Sequence, residues 1–136
     1  MQRPHFRNRR NARRGVLSME LLLTLPIFGM LLMGLFEFSL LLYARGDVVE
    51  ACRAGARRAA LPGATVENVE QEVKDHLSPR LQANVEVDVE CGEHPGDVVA
   101  VAVKAPMGAA APDLLWPIGF SLQGQHFQCA AKMRKE

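Results

Sequence analysis

The longest pattern in the chain is an apolar run that begins at Leu21 and reaches Phe36 without a charged residue. After the single Glu37, apolar residues continue to Tyr43. A helix needs about 20 apolar residues to cross the hydrocarbon core of a bilayer, so a span must include Glu37 or end close to it. The leucine, isoleucine and phenylalanine residues of the run favour insertion by about 3 to 6 kcal/mol, which exceeds the cost of about 3 kcal/mol for one acid. The pattern predicts one transmembrane helix.

Small and apolar residues continue at helical spacing beyond the run. Four of them recur at intervals of four, three and four, which places them on one face: Val48, Cys52, Gly55 and Ala59. We predict one helix over residues 16–60, about 68 Å long, with half in the bilayer and half beyond it. The face would fit either packing against other subunits or a seat for the chain's own globular part. The second interpretation is favoured, since an exported domain must bury an apolar face.

The segment from 61 to 83 predicts a turn and a second helix. Leu61-Pro62-Gly63 ends the long helix, and Thr65 is placed as the N-cap of the next one. Valines at helical spacing then form one face, and Ser78-Pro79 closes the helix.

The remaining residues predict a small antiparallel sheet. Residues 84–90 alternate strictly between valine and polar residues, and residues 98–104 form a second apolar segment, which together indicate a hairpin. Residues 105–119 contain three prolines and are predicted to be a loop. The last segment indicates another strand, with a bulge near Gly124 where the apolar phase changes. The predicted fold class is α+β, a long N-terminal transmembrane helix that extends into an exported domain with a second helix and a small antiparallel sheet.

The near-neutral chain is the sum of two oppositely charged parts. Residues 1–15 contain six arginines and no acid, whereas the remaining ten Lys and Arg face fifteen Asp and Glu. An arginine-rich head would suit nucleic acid, but positive residues directly before an apolar span are retained on the cytoplasmic side. We therefore expect no nucleic-acid partner and a single-pass protein of the cytoplasmic (inner) membrane, with a cytoplasmic N-terminus and a C-terminal domain exported to the periplasm or the exterior.

Two other interpretations of the apolar run fit less well. A buried helix of this length would need a larger core than 136 residues supply. A secretory signal peptide has an apolar stretch of about 7 to 15 residues before its cleavage site. Here the stretch is longer, and a weak cleavage site occurs only near Ala44.

Glu20 stands at the start of the span, where an ionisable side chain calls for a partner. The sequence offers Arg13 or Arg14 of the same chain. It also offers the α-amino group that a cut between Gly15 and Val16 would create four residues before Glu20.

Gly15 followed by Val-Leu-Ser-Met-Glu resembles the prepilin peptidase recognition pattern of type IV pilins and pseudopilins. Further along, the chain resembles the TadE-like family, pseudopilin proteins of the tight adherence (Tad) pilus machinery. The matching positions are Pro26, Glu37-Phe38, Tyr43-Ala44-Arg45 and residues 51–57, read as ACRAGAR. The resemblance covers residues 13–60 and is weaker in the closing strand. Leu21 and Ser39 depart from the phenylalanine and glycine that the family usually has there.

The resemblance implies a membrane-anchored minor pseudopilin that a prepilin peptidase cleaves after Gly15 and that takes part in assembly of adhesive Flp-type pili. Its partners would be the lipid bilayer, the peptidase and other pilin-like or Tad subunits. Glu20 would pair with a mature N-terminal amine, and Glu37 would orient the helix or contact a partner. The alternative is an uncleaved single-span membrane protein whose exported domain is a protein-binding module.

This organisation divides the chain into four parts: a basic leader (1–15), a transmembrane helix (16–43), an extension of the helix with a turn (44–63) and an exported α+β domain (64–136).

The cysteines suggest a disulfide rather than a metal site. Export permits disulfides, and we predict a Cys91–Cys129 bond with Cys52 left as a small buried residue. Cys91-x-x-His94 and His126-x-x-Cys129 have zinc-like spacings, but residues three apart in a strand point to opposite faces. No catalytic motif is present, so the sequence predicts neither an enzyme nor a metal, a cofactor or a small-molecule substrate.

Overall fold

A computed structural model describes residues 10–92 and 94–136, apart from the side chains of residues 10–17. Residues 1–9 of the predicted basic leader therefore lie outside the described residues. The elements are the α-helices α1 (Arg10–Ala60), α2 (Val66–Asp75), α3 (Pro79–Gln82) and α4 (Met107–Ala110), a 3-10 helix (Trp116–Ile118), and the strands β1 (Glu86–Glu90), β2 (Val98–Pro106) and β3 (His126–Arg134). Their order and type confirm the predicted α+β fold with a long N-terminal helix and a small antiparallel sheet.

The long helix α1 changes character along its length. From Met19 to Phe36 its large apolar side chains are exposed around the whole helix, including the consecutive residues 21–23. Toward its C-terminal end, α1 buries one face of small residues, each at most 4% exposed: Ala44, Val48, Ala51, Cys52, Ala56 and Ala59. This face packs on the chain's own sheet and on α2, as the favoured interpretation of the small-residue spacing predicts.

The core lies between this face, α2 and the sheet. From α2 come Val69 and Val73, both fully buried. Gly55 lets the elements approach closely, because a Cβ there would lie 2.5 Å from Cγ2 of Val73 and 3.3 Å from Cγ1 of Val101. From β2 come alternate residues, as expected for a strand with one buried face: Val99, Val101, Val103 and Ala105.

The sheet has the order β1-β2-β3, and both pairs of strands are antiparallel. β2 lies in the centre, where Val103 pairs with Val87 on one side and with Cys129 on the other. The central strand runs to Pro106, two residues further than predicted, and β1 begins at Glu86 rather than at residue 84.

Thr65 is the N-cap of α2, as predicted, and its Oγ1 accepts a hydrogen bond from the N–H of Asn68 at 3.4 Å. Two other local predictions are wrong. Pro79 does not close the second helix but occupies the first turn of α3, where its missing N–H is no loss. The phase change near Gly124 is a turn before β3, with φ +77° at the glycine, and not a bulge within a strand.

Candidate functional site

Glu37 is a carboxylate on the core face of α1. Among the residues that the structure describes, it is the buried charged side chain, at 1% exposure. It precedes Ala44 by seven residues, or about two turns, so it continues the buried face of the helix toward the membrane segment. Its neighbours Phe36 and Phe38 point elsewhere and are more than half exposed.

The segment that follows α4 covers Glu37. The backbone N–H of Leu114 donates a hydrogen bond to Oε2 of Glu37 at 3.1 Å. One turn earlier on the helix, the side chain of Leu115 packs beside Gly34, where an added Cβ would lie 3.5 Å from its Cδ1. The segment after α4 thus touches α1 at the level of Gly34 and Glu37.

The second carboxylate oxygen of Glu37, Oε1, is buried and has no hydrogen-bond partner among the described residues. An unsatisfied buried acceptor costs about 1–3 kcal/mol, more for a charged group. An apolar residue of similar shape would avoid that cost. Stability of the isolated domain therefore does not account for Glu37, which makes it a candidate functional residue.

We call residues 114–120, with the sequence Leu-Leu-Trp-Pro-Ile-Gly-Phe, the apolar loop. The hydroxyl of Ser121 donates to Oδ2 of Asp113 at 3.0 Å and closes the base of the loop. Between them the chain forms the 3-10 turn at Trp116–Ile118 and leaves it at Gly119, where φ is +91°. The large apolar side chains at the tip are more than half exposed: Trp116, Ile118 and Phe120.

The prolines of the sequence predict a loop over most of this segment and by themselves indicate no role for it. A signal was available, because seven consecutive residues carry no polar side chain and Pro117 and Gly119 exclude a buried strand. The contact with Glu37, 77 residues earlier in the chain, had no signal in the local pattern.

Glu20 is exposed on α1. The hydroxyl of Thr24 donates a hydrogen bond to the backbone carbonyl of Glu20 at 3.1 Å. No ion pair of Glu20 occurs among the side chains that the structure describes. The side chains of Arg13 and Arg14, which the sequence offers as partners of Glu20 within the chain, lie outside the described residues. The predicted cut between Gly15 and Val16 falls within α1.

The structure does not bring the predicted disulfide partners together. Cys91 is an exposed free thiol just after β1, and Cys129 lies in β3 with the central strand between them. Cys129 is instead half-buried against the core that contains Cys52 of α1. The Sγ of Cys52 also donates to the carbonyl oxygen of Val101 at 3.3 Å. Burial, followed by the contact with Cys129, raises the pKa of the Cys52 thiol to about 12.

Over the described residues, no group of three or more His, Cys, Asp or Glu side chains is placed to hold a metal ion. His126 is exposed on one face of β3 while Cys129 is half-buried on the other, as expected for residues three apart in a strand.

One helix in the described part of the chain is long and apolar enough to cross a membrane. It extends over Ser18–Ala60, its most apolar window has a mean hydropathy of 2.0, and 6% of that window is buried. With an exposed apolar first part and a second part that forms the core of an α+β domain, the chain has the architecture of a single-pass membrane protein.

Residues 15–57 match the model of a protein family described as TadE-like protein. The match covers about a third of the chain, from the predicted cleavage glycine through the small-residue face, and confirms the resemblance found in the sequence. The match supports a role associated with the Tad/Flp pilus, and the matched family is one of pilus assembly rather than of enzymes. Neither the curated proteins nor the solved structures contain a match to the chain.

Proposed function

We propose that the protein is a membrane-anchored minor pseudopilin of the TadE-like type, which a prepilin peptidase cleaves between Gly15 and Val16 before it takes part in assembly of Flp-type pili. The N-terminus is cytoplasmic and the α+β domain is exported. Its partners are the bilayer, the peptidase and other pilin-like or Tad subunits.

The observation that carries this proposal is the family match over residues 15–57, which ends within the long helix. The first part of that helix is exposed and apolar, as suits a segment that passes from lipid into contact with other helices. A pilus-associated role also fits Glu20, because a carboxylate in an apolar helix gains from a compact cation at its own depth. The amine of a mature N-terminus is such a cation.

The buried Glu37 gives the domain a fixed place on the helix. Its bond to Leu114 holds the apolar loop against α1, so the domain and the span are delivered to a partner in one relative position. The unsatisfied Oε1 leaves room for one further donor when another subunit or a water molecule reaches the site.

The cleavage step is tested by the intact mass and N-terminal sequence of the full chain, recovered from membranes of cells that contain an active prepilin peptidase. We expect a mature chain that begins at Val16. A Gly15→Leu variant is the matched control and should keep its leader, since a bulky residue then occupies the cut. A native chain that keeps residues upstream of Val16, while a known prepilin in the same cells is cleaved, would favour the uncleaved single-span protein with an exported binding module.

The assembly step is tested with Glu20→Ala in a strain that depends on this chain for piliation. Membrane insertion should survive, since one acid fewer favours the span, and pilus assembly should fail because the helix ion pair is lost. Glu67→Ala removes an exposed acid from α2 and should assemble normally. Normal piliation of the Glu20→Ala strain would remove Glu20 from the mechanism.

A further inference from the structure

We infer that the apolar loop, residues 114–120, is a membrane-interface anchor that inserts its tip into the outer leaflet beside α1. The inference rests on the proposed membrane anchoring of the chain and adds a second point at which the exported domain meets lipid. The exposed apolar tip contacts the boundary between the acyl chains and the headgroups of the bilayer.

Depth along the helix is the first argument. A span that starts at Leu21 covers about 30 Å of hydrocarbon after about 20 residues, close to Leu40. Gly34 and Glu37 then lie about 9 Å and about 5 Å inside the outer edge of the hydrocarbon, at 1.5 Å per residue. Leu115 packs beside Gly34, and the N–H of Leu114 bonds Glu37. The base of the loop is therefore held at membrane depth by contacts with the span itself.

The distribution of exposed apolar side chains is the second argument. Beyond Tyr43, four of the seven large apolar side chains exposed in the described residues belong to this one loop: Leu114, Trp116, Ile118 and Phe120. Leu115 of the same loop packs beside Gly34, so the loop lies against the apolar first part of α1. Clustered apolar surface of this kind marks a site of contact, and aromatic residues are enriched at membrane interfaces.

The backbone of the loop is the third argument, because polar groups that enter lipid must be hydrogen-bonded. The N–H of Ile118 bonds the carbonyl of Leu115 at 3.1 Å, and that of Gly119 bonds the carbonyl of Trp116 at 3.0 Å. The N–H of Phe120 also reaches the carbonyl of Leu115, at 3.4 Å, and Pro117 has no N–H to satisfy. The 3-10 turn thus lowers the cost of placing irregular backbone at the interface.

The chain contains one tryptophan, Trp116, so the native protein carries its own reporter. The full chain is reconstituted in phosphatidylcholine–phosphatidylglycerol vesicles whose acyl chains carry bromine at carbons 6 and 7, and the fluorescence is compared with that in unbrominated vesicles. Two matched variants replace Trp116 with phenylalanine and place the tryptophan elsewhere. Leu31→Trp reports from the span, and Leu61→Trp reports from the far end of α1, about 27 Å beyond Tyr43.

We expect the emission of Trp116 to be blue-shifted and to be quenched several-fold more strongly than that of Leu61→Trp. If Leu31→Trp is quenched while Trp116 behaves like Leu61→Trp, the chain is inserted but the loop lies in water or against protein, and the inference is overturned alone. If Leu31→Trp is not quenched either, the chain does not span the membrane, and the inference is overturned together with the anchoring on which it rests.

Discussion

The two parts of α1 are one helix with opposite side-chain chemistry. The part from Met19 to Phe36 carries large side chains that are exposed all round, and the part from Ala44 to Ala60 buries one face of small residues. Large apolar side chains suit lipid, which adapts to their shape, whereas small residues let a sheet and a second helix approach the backbone. The same type of substitution should therefore have different consequences in the two parts.

The largest difference is expected at the glycines. Gly55→Leu forces a side chain into Val73 and Val101, and overpacking of this kind should lower the free energy of unfolding of the domain by about 3 kcal/mol. Gly29→Leu is the matched control, because no atom lies within 4 Å of an added Cβ there. Denaturant-dependent proteolysis of the two variants in vesicles measures the contrast. Equal sensitivity of the two would show that the buried face does not form the core.

The next largest effect is expected at the acids. Glu37→Ala removes the acceptor of the Leu114 N–H and leaves a cavity, which should destabilise the domain by about 1–3 kcal/mol. Glu37→Gln keeps an acceptor for the Leu114 N–H and should therefore destabilise the domain less than Glu37→Ala does. In the first part of the helix, the exposed Glu20→Ala should leave the unfolding free energy unchanged. Thermal unfolding monitored by Trp116 fluorescence separates the three, and a Glu37→Ala variant as stable as Glu37→Gln would contradict the role of the bond.

The Cys52 thiol should make the domain less stable at alkaline pH. Its pKa in the folded protein is raised from 9.0 to about 12, so the folded state keeps a proton that the unfolded state loses. The stability from the neutral thiol is complete below pH 9 and declines as the pH rises toward 12. One pH unit above 9 the loss relative to neutral pH is about 1.4 kcal/mol.

Denaturant unfolding of wild type and Cys52→Ala at pH 8 and pH 10 measures this effect. The variant should show a shallower pH dependence. Cys91→Ala, at an exposed thiol, should keep the dependence of the wild type. In the native state iodoacetamide should modify Cys91 and spare Cys52, and mass mapping after air oxidation tests whether Cys129 ever pairs with Cys91.

The smallest effect is expected from the hydroxyls that cap or bond backbone. Thr65→Ala removes the N-cap of α2. Because the capping hydrogen bond is long, at 3.4 Å, the loss of unfolding free energy should be about 0.5 kcal/mol, near the lower end of the range for N-caps. Thr24→Ala in the first part of α1 removes bonds to the Glu20 and Leu21 carbonyls and should not affect the domain. Equilibrium unfolding of both variants provides the comparison. A larger loss for Thr24→Ala would show that the membrane segment contributes to the stability of the domain.

Features that repeat locally were predictable from the sequence. The four-three-four spacing from Val48 to Ala59 indicates the buried face of α1, and strict alternation in residues 84–90 indicates β1. A single residue with the right chemistry placed the N-cap at Thr65.

Contacts between distant segments were not predictable in this way. The bond between Glu37 and Leu114 joins segments 77 residues apart, and no periodic pattern encodes which loop lies beside which turn of a helix. The position of α1 over β2 and β3 also decides which thiol Cys129 meets, and that position depends on packing rather than on spacing. The phase change at Gly124 gave the right location and the wrong structure, because a bulge and a turn shift the phase in the same way.

The continuity of α1 has a mechanical consequence. Its 51 residues form one rod of about 76 Å, and the domain is built directly on the outer third of that rod. Because the sheet and α2 pack on that part of the helix, they follow it when it moves along or about its axis. A pull on the domain is transmitted along the main-chain hydrogen bonds of the helix to its apolar first part, so the domain and that part move together.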